Sequence, residues 1–158
     1  MKHEQWLTKT IDLAVENVKN GGGPFAAIVV KNGKIIGTGT NLVHLHFDPS
    51  AHAELLAIRE ACSVLASVDL SDCILYASGE PCPMCLGAAY WATVGNIYYA
   101  CSKTDAVNDA EFTNSLENFY ADQEKEPVNR SVPFIHLSMD DSLKPFQEWN
   151  RIQRRIDD

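Results

Sequence analysis

His52-Ala53-Glu54 and Pro81-Cys82-Pro83-Met84-Cys85 decide how this chain reads. They bring together one imidazole, two thiols and one carboxylate. Cys82 and Cys85 are three residues apart at a predicted helix start, which puts them on one face. The positive end of a helix favours the thiolate, and the thiolate is the form that binds metal. His52 opens a second predicted helix. One His and two Cys give a tetrahedral zinc ion three ligands and leave its fourth position open, as a catalytic site requires. A closed structural site needs a fourth ligand. His44 and His46 are the nearest candidates for it, and they read better as loop histidines at the surface or the pocket rim. Glu54 follows His52 by two residues, so it points elsewhere and is free to carry protons.

Working outward, a first helix is expected from about Glu4 to Val18, with Leu7, Ile11, Leu13, Ala14 and Val18 at helical spacing. Asn20-Gly21-Gly22-Gly23-Pro24 ends it. Strands Phe25–Val30 and Ile35–Thr40 are joined at Asn32-Gly33, a strong hairpin signal. A loop over Asn41–Ser50 leads to a helix from Ala51 to about Ala66. Strand Cys73–Ala77, a helix from Pro83 to about Thr93 and strand Asn96–Ala100 come next. Ser102–Gln123 is polar and carries no clear pattern. A fifth strand is expected at Val132–Leu137 and a last helix over about 141–156. This order predicts an α/β fold, a three-layer α/β/α sandwich with a mixed five-stranded sheet, in one domain spanning 1–158.

Composition is that of an ordinary globular chain, with 46% apolar and 22% charged residues, long enough to bury a core. No apolar run reaches membrane-spanning length. The start, Met1 to Leu7, lacks the apolar core of a signal peptide, which places the expectation in the cytoplasm. Five cysteines then read as thiols and metal ligands rather than disulfides. Cys62, Cys73 and Cys101 are expected to be buried thiols, and His3 and His136 structural. The net charge of −8 speaks against nucleic acid as a partner. Arg151, Arg154 and Arg155 read as a solvated helix face near a C-terminus.

The full pattern H-x-E … P-C-x-x-C is that of the zinc deaminases, in which the Glu is not a ligand. Zn²⁺ activates a water near neutral pH. Glu54 takes the proton of that water and passes it to the leaving amine, since ammonia leaves poorly unless protonated. The reaction expected is hydrolytic deamination of an amidine-like ring carbon.

The chain resembles the cytidine deaminase superfamily, most closely its bacterial guanine deaminases. The resemblance rests on Gly22-Gly23-Pro24-Phe25, Gly39-Thr40-Asn41, Asp48 to Glu54, Glu80 to Ala88, Tyr90-Trp91, Thr104-Asp105 and Pro145-Phe146-Gln147-Glu148-Trp149. The middle stretches are shared with tRNA adenosine deaminases. Thr104-Asp105 and the Pro145–Trp149 tail are the guanine-deaminase-like ones. The resemblance implies that Asn41 hydrogen-bonds the base, that Phe25 stacks on or flanks it, that Trp91 helps wall the pocket, and that Ala53 and Asn114 complete the substrate contacts. Asn114 stands where such enzymes carry an acidic residue, so the charge-assisted contact to the guanine N1/N2 edge is replaced by a neutral amide. Glu111 is the neighbouring carboxylate. No aromatic follows Trp149, whereas the family can use a C-terminal aromatic from a neighbouring subunit.

The resemblance also implies one catalytic Zn²⁺ per chain and a homodimer. The last helix, with Leu143, Phe146, Trp149 and Ile152 near one face, can pack on its own domain or be exchanged with a partner's. The leading expectation is guanine deamination to xanthine and ammonia. Deamination of guanosine, cytosine, adenine or a tRNA adenosine is the alternative, and a catalytically silent zinc-bound binding protein is the last.

Overall fold

In this computed structural model, which describes residues 2–110 and 117–156, strand β1 (Ala26–Lys31) turns at Asn32 and Gly33 into β2 (Lys34–Thr40). Both turn residues take positive φ, 50° and 72°, as the tight hairpin turn demands. Strand β3 (Ile74–Gly79) lies antiparallel beside β1, and β4 (Asn96–Cys101) lies parallel beside β3. The sheet is mixed, in the order β2-β1-β3-β4.

Alternation along the strands divides the core between the two faces. Ala27, Val29, Leu75 and Ala77 face helices α3 (Ala53–Leu65) and α4 (Pro83–Trp91), where Ala57, Ala61 and Ala89 meet them. Ile28, Val30 and Tyr76 face the other way and pack on Trp6 of α1 (His3–Lys19). With both faces covered, β1 is a nearly continuous apolar run. The short helix α2 (Val43–His46) occupies part of the loop expected between β2 and α3.

The face that α1 buries is the expected one only in part: Ala14 is buried and Leu7 and Leu13 pack against the core, as expected. Trp6, Thr10, Ala14 and Asn17 are buried, whereas Ile11 and Val18 are 44% and 49% exposed. Two polar side chains enter the interior because each finds carbonyl partners. Thr10 Oγ1 donates to Leu7 O at 2.8 Å, and Asn17 Nδ2 donates to two carbonyls. His3 is structural as expected: its Nδ1 is 2.8 Å from the Tyr76 hydroxyl, and its ring stacks on Tyr98.

Helix α3 lies so close to β2 that Gly37 and Gly39 have no room for a side chain. A Cβ at 39 would collide with the Ala53 carbonyl oxygen, and one at 37 with that of Ala57. Gly39→Ala is therefore expected to destabilise the fold by about 1–3 kcal/mol, the usual cost of overpacking. Chemical denaturation measures it. An unchanged midpoint would show that α3 lifts from the sheet at no cost.

The chain divides into two compact units, Met1–Phe112 and Thr113–Asp158. The first also holds α5 (Lys103–Ala110). The second holds α6 (Glu117–Gln123), a 3-10 turn at Pro127–Asn129, and α7 (Lys144–Ile156). The fifth strand expected at Val132–Leu137 does not form, and the sheet has four strands among the described residues. Pro133 has no N–H to give a ladder. Phe134 N instead donates to Pro127 O at 3.3 Å, a local contact. Asp122 closes the turn after α6, accepting from Lys125 Nζ at 2.7 Å and Ser131 N at 2.8 Å. Arg151 is engaged by Glu148 one turn back, with Nε to Oε2 at 2.8 Å, which fits a solvated helix face. No described helix is long and apolar enough to cross a membrane.

Candidate active site

The two decisive segments meet because two helices begin at the same place. His52 is the N-cap residue of α3 and Cys82 that of α4, each with extended backbone. Pro83 sits in the first turn of α4, where its missing N–H costs nothing. Cys85 follows one turn along, fully buried.

His52 Nδ1 lies 3.5 Å from Cys82 Sγ and 3.5 Å from Cys85 Sγ, and the two sulfurs are 3.6 Å apart. Tetrahedral zinc with about 2.3 Å to sulfur and about 2.0–2.1 Å to nitrogen sets such ligand atoms about 3.5–3.8 Å apart. The triangle therefore has the dimensions that zinc asks for. Among the described residues no other His, Cys, Asp or Glu joins it to close a fourth position. His44 and His46 are exposed, as loop histidines were expected to be.

Each group in the cluster shifts its neighbour. The hydrogen bond from the Cys85 thiol, with His52 beside it, holds Cys82 well below the usual thiol range. Cys85 is raised in turn by its bond to Cys82 and by burial. Cys82 also raises His52 by accepting its hydrogen bond. Glu54, in the first turn of α3, is only 7% exposed, and burial pushes its carboxyl above the usual range. A carboxyl so placed takes and returns a proton more readily than an exposed one.

Phe25 and Asn41 reach the neighbourhood through the loops flanking β1 and β2. Ala26 N donates to Ser78 Oγ at 3.0 Å, which ties the start of β1 to the end of β3. The Phe25 ring then lies over Gly79, three residues before Cys82; a Cβ at Gly79 would sit 2.9 Å from Cε1 of that ring. Asn41 N donates to Phe25 O at 2.9 Å, so the two candidate base contacts are neighbours. Ala53, 1% exposed, lies between His52 and Glu54.

Trp91 does not join them. It ends α4, and its side chain is 89% exposed among the described residues. An α-helix starting at Cys82 reaches Trp91 only after more than two turns, which carries the indole away from the ligands. Asn114 and Glu111 lie outside the described residues. Asp105 serves its own helix. Its carboxylate accepts from Ser102 N while Ser102 Oγ accepts from Asp105 N, both at 3.1 Å, a capping box at the start of α5. Cys73 is buried as expected, whereas Cys62 and Cys101 are only half-buried.

Three contributors escaped the sequence reading. Ser78 joins β1 to β3. Glu80 accepts from Lys103 N at 3.0 Å and pairs with Lys103 Nζ at 3.3 Å, tying the loop before Cys82 to α5. Asn17 carried no signal in the sequence, since its burial depends on carbonyls of other segments. A cavity of about 390 Å³ lies on the α1 side of the sheet, lined by Ile11, Val15, Val18 and Ala100 among others. It contains none of the ligands and is separate from the chemistry.

Residues 1–101 match the family described as the cytidine and deoxycytidylate deaminase zinc-binding region. Over 156 residues, 98% of each chain, the sequence is 46% identical to a guanine deaminase of Bacillus subtilis. The crystal structure of a guanine deaminase from that organism superposes with a TM-score of 0.88, covering 96% of this chain and 95% of the other at 47% identity. A guanine deaminase structure from Nitrosomonas europaea gives 0.65 at 36% identity, covering 70% of this chain and 64% of that one. A tRNA-specific adenosine deaminase of Aquifex aeolicus is 38% identical over 63% of this chain and 66% of its own length.

Proposed function

The chain belongs to the cytidine and deoxycytidylate deaminase family, and within it to the group of the Bacillus subtilis guanine deaminase; on that premise we propose that it hydrolyses guanine to xanthine and ammonia. One observation carries the choice of substrate. The match to guanine deaminase runs through 98% of both chains, whereas the tRNA-deaminase match covers 63% of this one. The enzyme is a hydrolase acting on the C–N bond of a cyclic amidine.

His52, Cys82 and Cys85 are the residues that hold zinc, and their triangle fits it. When bound, zinc supplies Lewis acidity that brings the pKa of a water near neutrality. Glu54 takes a proton from the attacking water as the C–O bond forms, and delivers it to the exocyclic nitrogen as the C–N bond breaks. Its burial supports this role, because the carboxyl is kept from bulk solvent and held above its ordinary range. Asn41 presents an amide, both donor and acceptor, to the base edge. Phe25 flanks the ring, Ala53 forms the floor beside Glu54, and Asn114 supplies a neutral contact where relatives place a carboxylate.

In this reading the enzyme works as a cytoplasmic homodimer on a free base, without nucleic acid or membrane partners. None of the five cysteines is in a disulfide, which suits a reducing compartment. Helix α7 is the segment exchanged between subunits. Phe146, Trp149 and Ile152 share one face of that helix, an apolar stripe of the kind that packs on a partner. Ammonia release from guanine, with guanosine, adenine, cytosine and cytidine as controls, tests the substrate. Guanine is expected to turn over fastest. Turnover of a control, or inosine formation in a tRNA anticodon stem-loop, without turnover of guanine would overturn the assignment.

A further inference from the structure

We infer that Asn17, a buried amide bonded to both substrate loops, is a positioning residue for base binding; the inference rests on the reading of Asn41 as the base contact. Asn17 occupies the last turns of α1 and is 7% exposed. Asparagine is a poor helix former, so an interior position with a buried side chain calls for a specific partner. It has two. Asn17 Nδ2 donates to Gly23 O and to Asn41 O, both at 2.8 Å. Its backbone carbonyl accepts from Gly22 N at 2.8 Å. Gly23 N donates in turn to Asn41 O at 2.9 Å.

One side-chain amide thus joins three segments: the end of α1, the Gly22–Phe25 loop entering β1, and the Asn41 exit from β2. Both loops carry a substrate contact, Phe25 in one and Asn41 in the other. Asn17 uses both amide protons on carbonyls, which neither a carboxylate nor an apolar side chain of the same size can do. Gly22 is built around the same group, since a Cβ there would collide with the Asn17 amide. The metal triangle is reached through other elements, α3 and α4, so the clamp acts on base binding and leaves zinc alone.

Steady-state kinetics of the zinc-loaded enzyme on guanine, with metal analysis of each variant, tests this. Asn17→Asp keeps the shape and removes both donors. It is expected to raise KM about 10-fold or more, with kcat within about threefold and zinc content unchanged, the pattern of lost uniform binding. Asn41→Ala, measured in parallel, is expected to raise KM as well. In the double variant the two effects are expected not to add, because both act through one contact. If Asn17→Asp does not fold, Gly22→Ala displaces the same clamp from the loop side and is expected to raise KM in the same way. A KM unchanged in the folded Asn17→Asp or Gly22→Ala enzyme, with Asn41→Ala impaired, overturns the positioning role alone. An unimpaired Asn41→Ala overturns the base contact and the inference with it.

Discussion

Glu54→Ala is expected to retain one zinc per chain and to lose about 10²- to 10⁴-fold in kcat, the usual contribution of a positioned acid–base group. The two readouts are separable because His52, Cys82 and Cys85 complete the ligand triangle without Glu54, although its carboxylate lies against the Cys85 thiol. Ammonia release gives the rate and metal analysis gives the occupancy. KM for guanine should move little, since the carboxylate acts on the water and the leaving nitrogen rather than on the base edge. Glu54→Gln makes the sharper variant, preserving volume in a site that is 7% exposed while removing the proton carrier. Turnover unchanged in either variant would remove Glu54 from the mechanism, and loss of zinc would make it part of the metal shell.

Cys82→Ala is expected to lose both zinc and turnover. Among the described residues it leaves two ligands of the cluster, His52 and Cys85, and two ligands do not hold a catalytic zinc. The protein should remain folded, because the hydrophobic core on that face is built from Ala53, Ala57, Leu75 and Ala89, not from Cys82. Circular dichroism alongside metal analysis separates the two effects. Full zinc occupancy in the variant would mean that Cys82 is not a ligand. An unfolded variant would show that the metal holds the domain together.

The metal site was legible because its chemistry is local. Two thiols one turn apart and an imidazole at a helix start need only the helix geometry that the sequence already specifies. The hairpin was legible for the same reason, since Asn32-Gly33 dictates its own turn. Contributions made at long range were not. Asn17 and Thr10 are polar residues on the inner face of α1, and helical spacing finds the apolar members of that face, Leu7, Leu13 and Ala14, but counts Ile11 and Val18 with them in place of the two polar ones. Only the carbonyls of other segments, unknown from α1 itself, make the burial of Asn17 favourable. Val132–Leu137 has the composition of a strand, but an apolar run needs a neighbour to pair with, and Pro133 cannot supply the ladder. Trp91 was named from the family resemblance alone, and it stands at the end of α4, the opposite end from Cys82.

The near contact of α3 with β2 bears on how this enzyme can change. Gly37 and Gly39 bring the helix backbone against the strand, and the start of that helix carries the proposed metal ligand His52 as its N-cap and the proposed proton carrier Glu54 in its first turn. The start of α3 is therefore seated directly on β2, with no room for a side chain between them. Phe25 and Asn41 sit on loops whose placement depends on hydrogen bonds rather than on interlocked backbone. Variation in substrate choice should accumulate in those loops, while α3 and the glycines beneath it tolerate almost none. A search for altered base preference has its productive positions there, at the rim, and not under the metal.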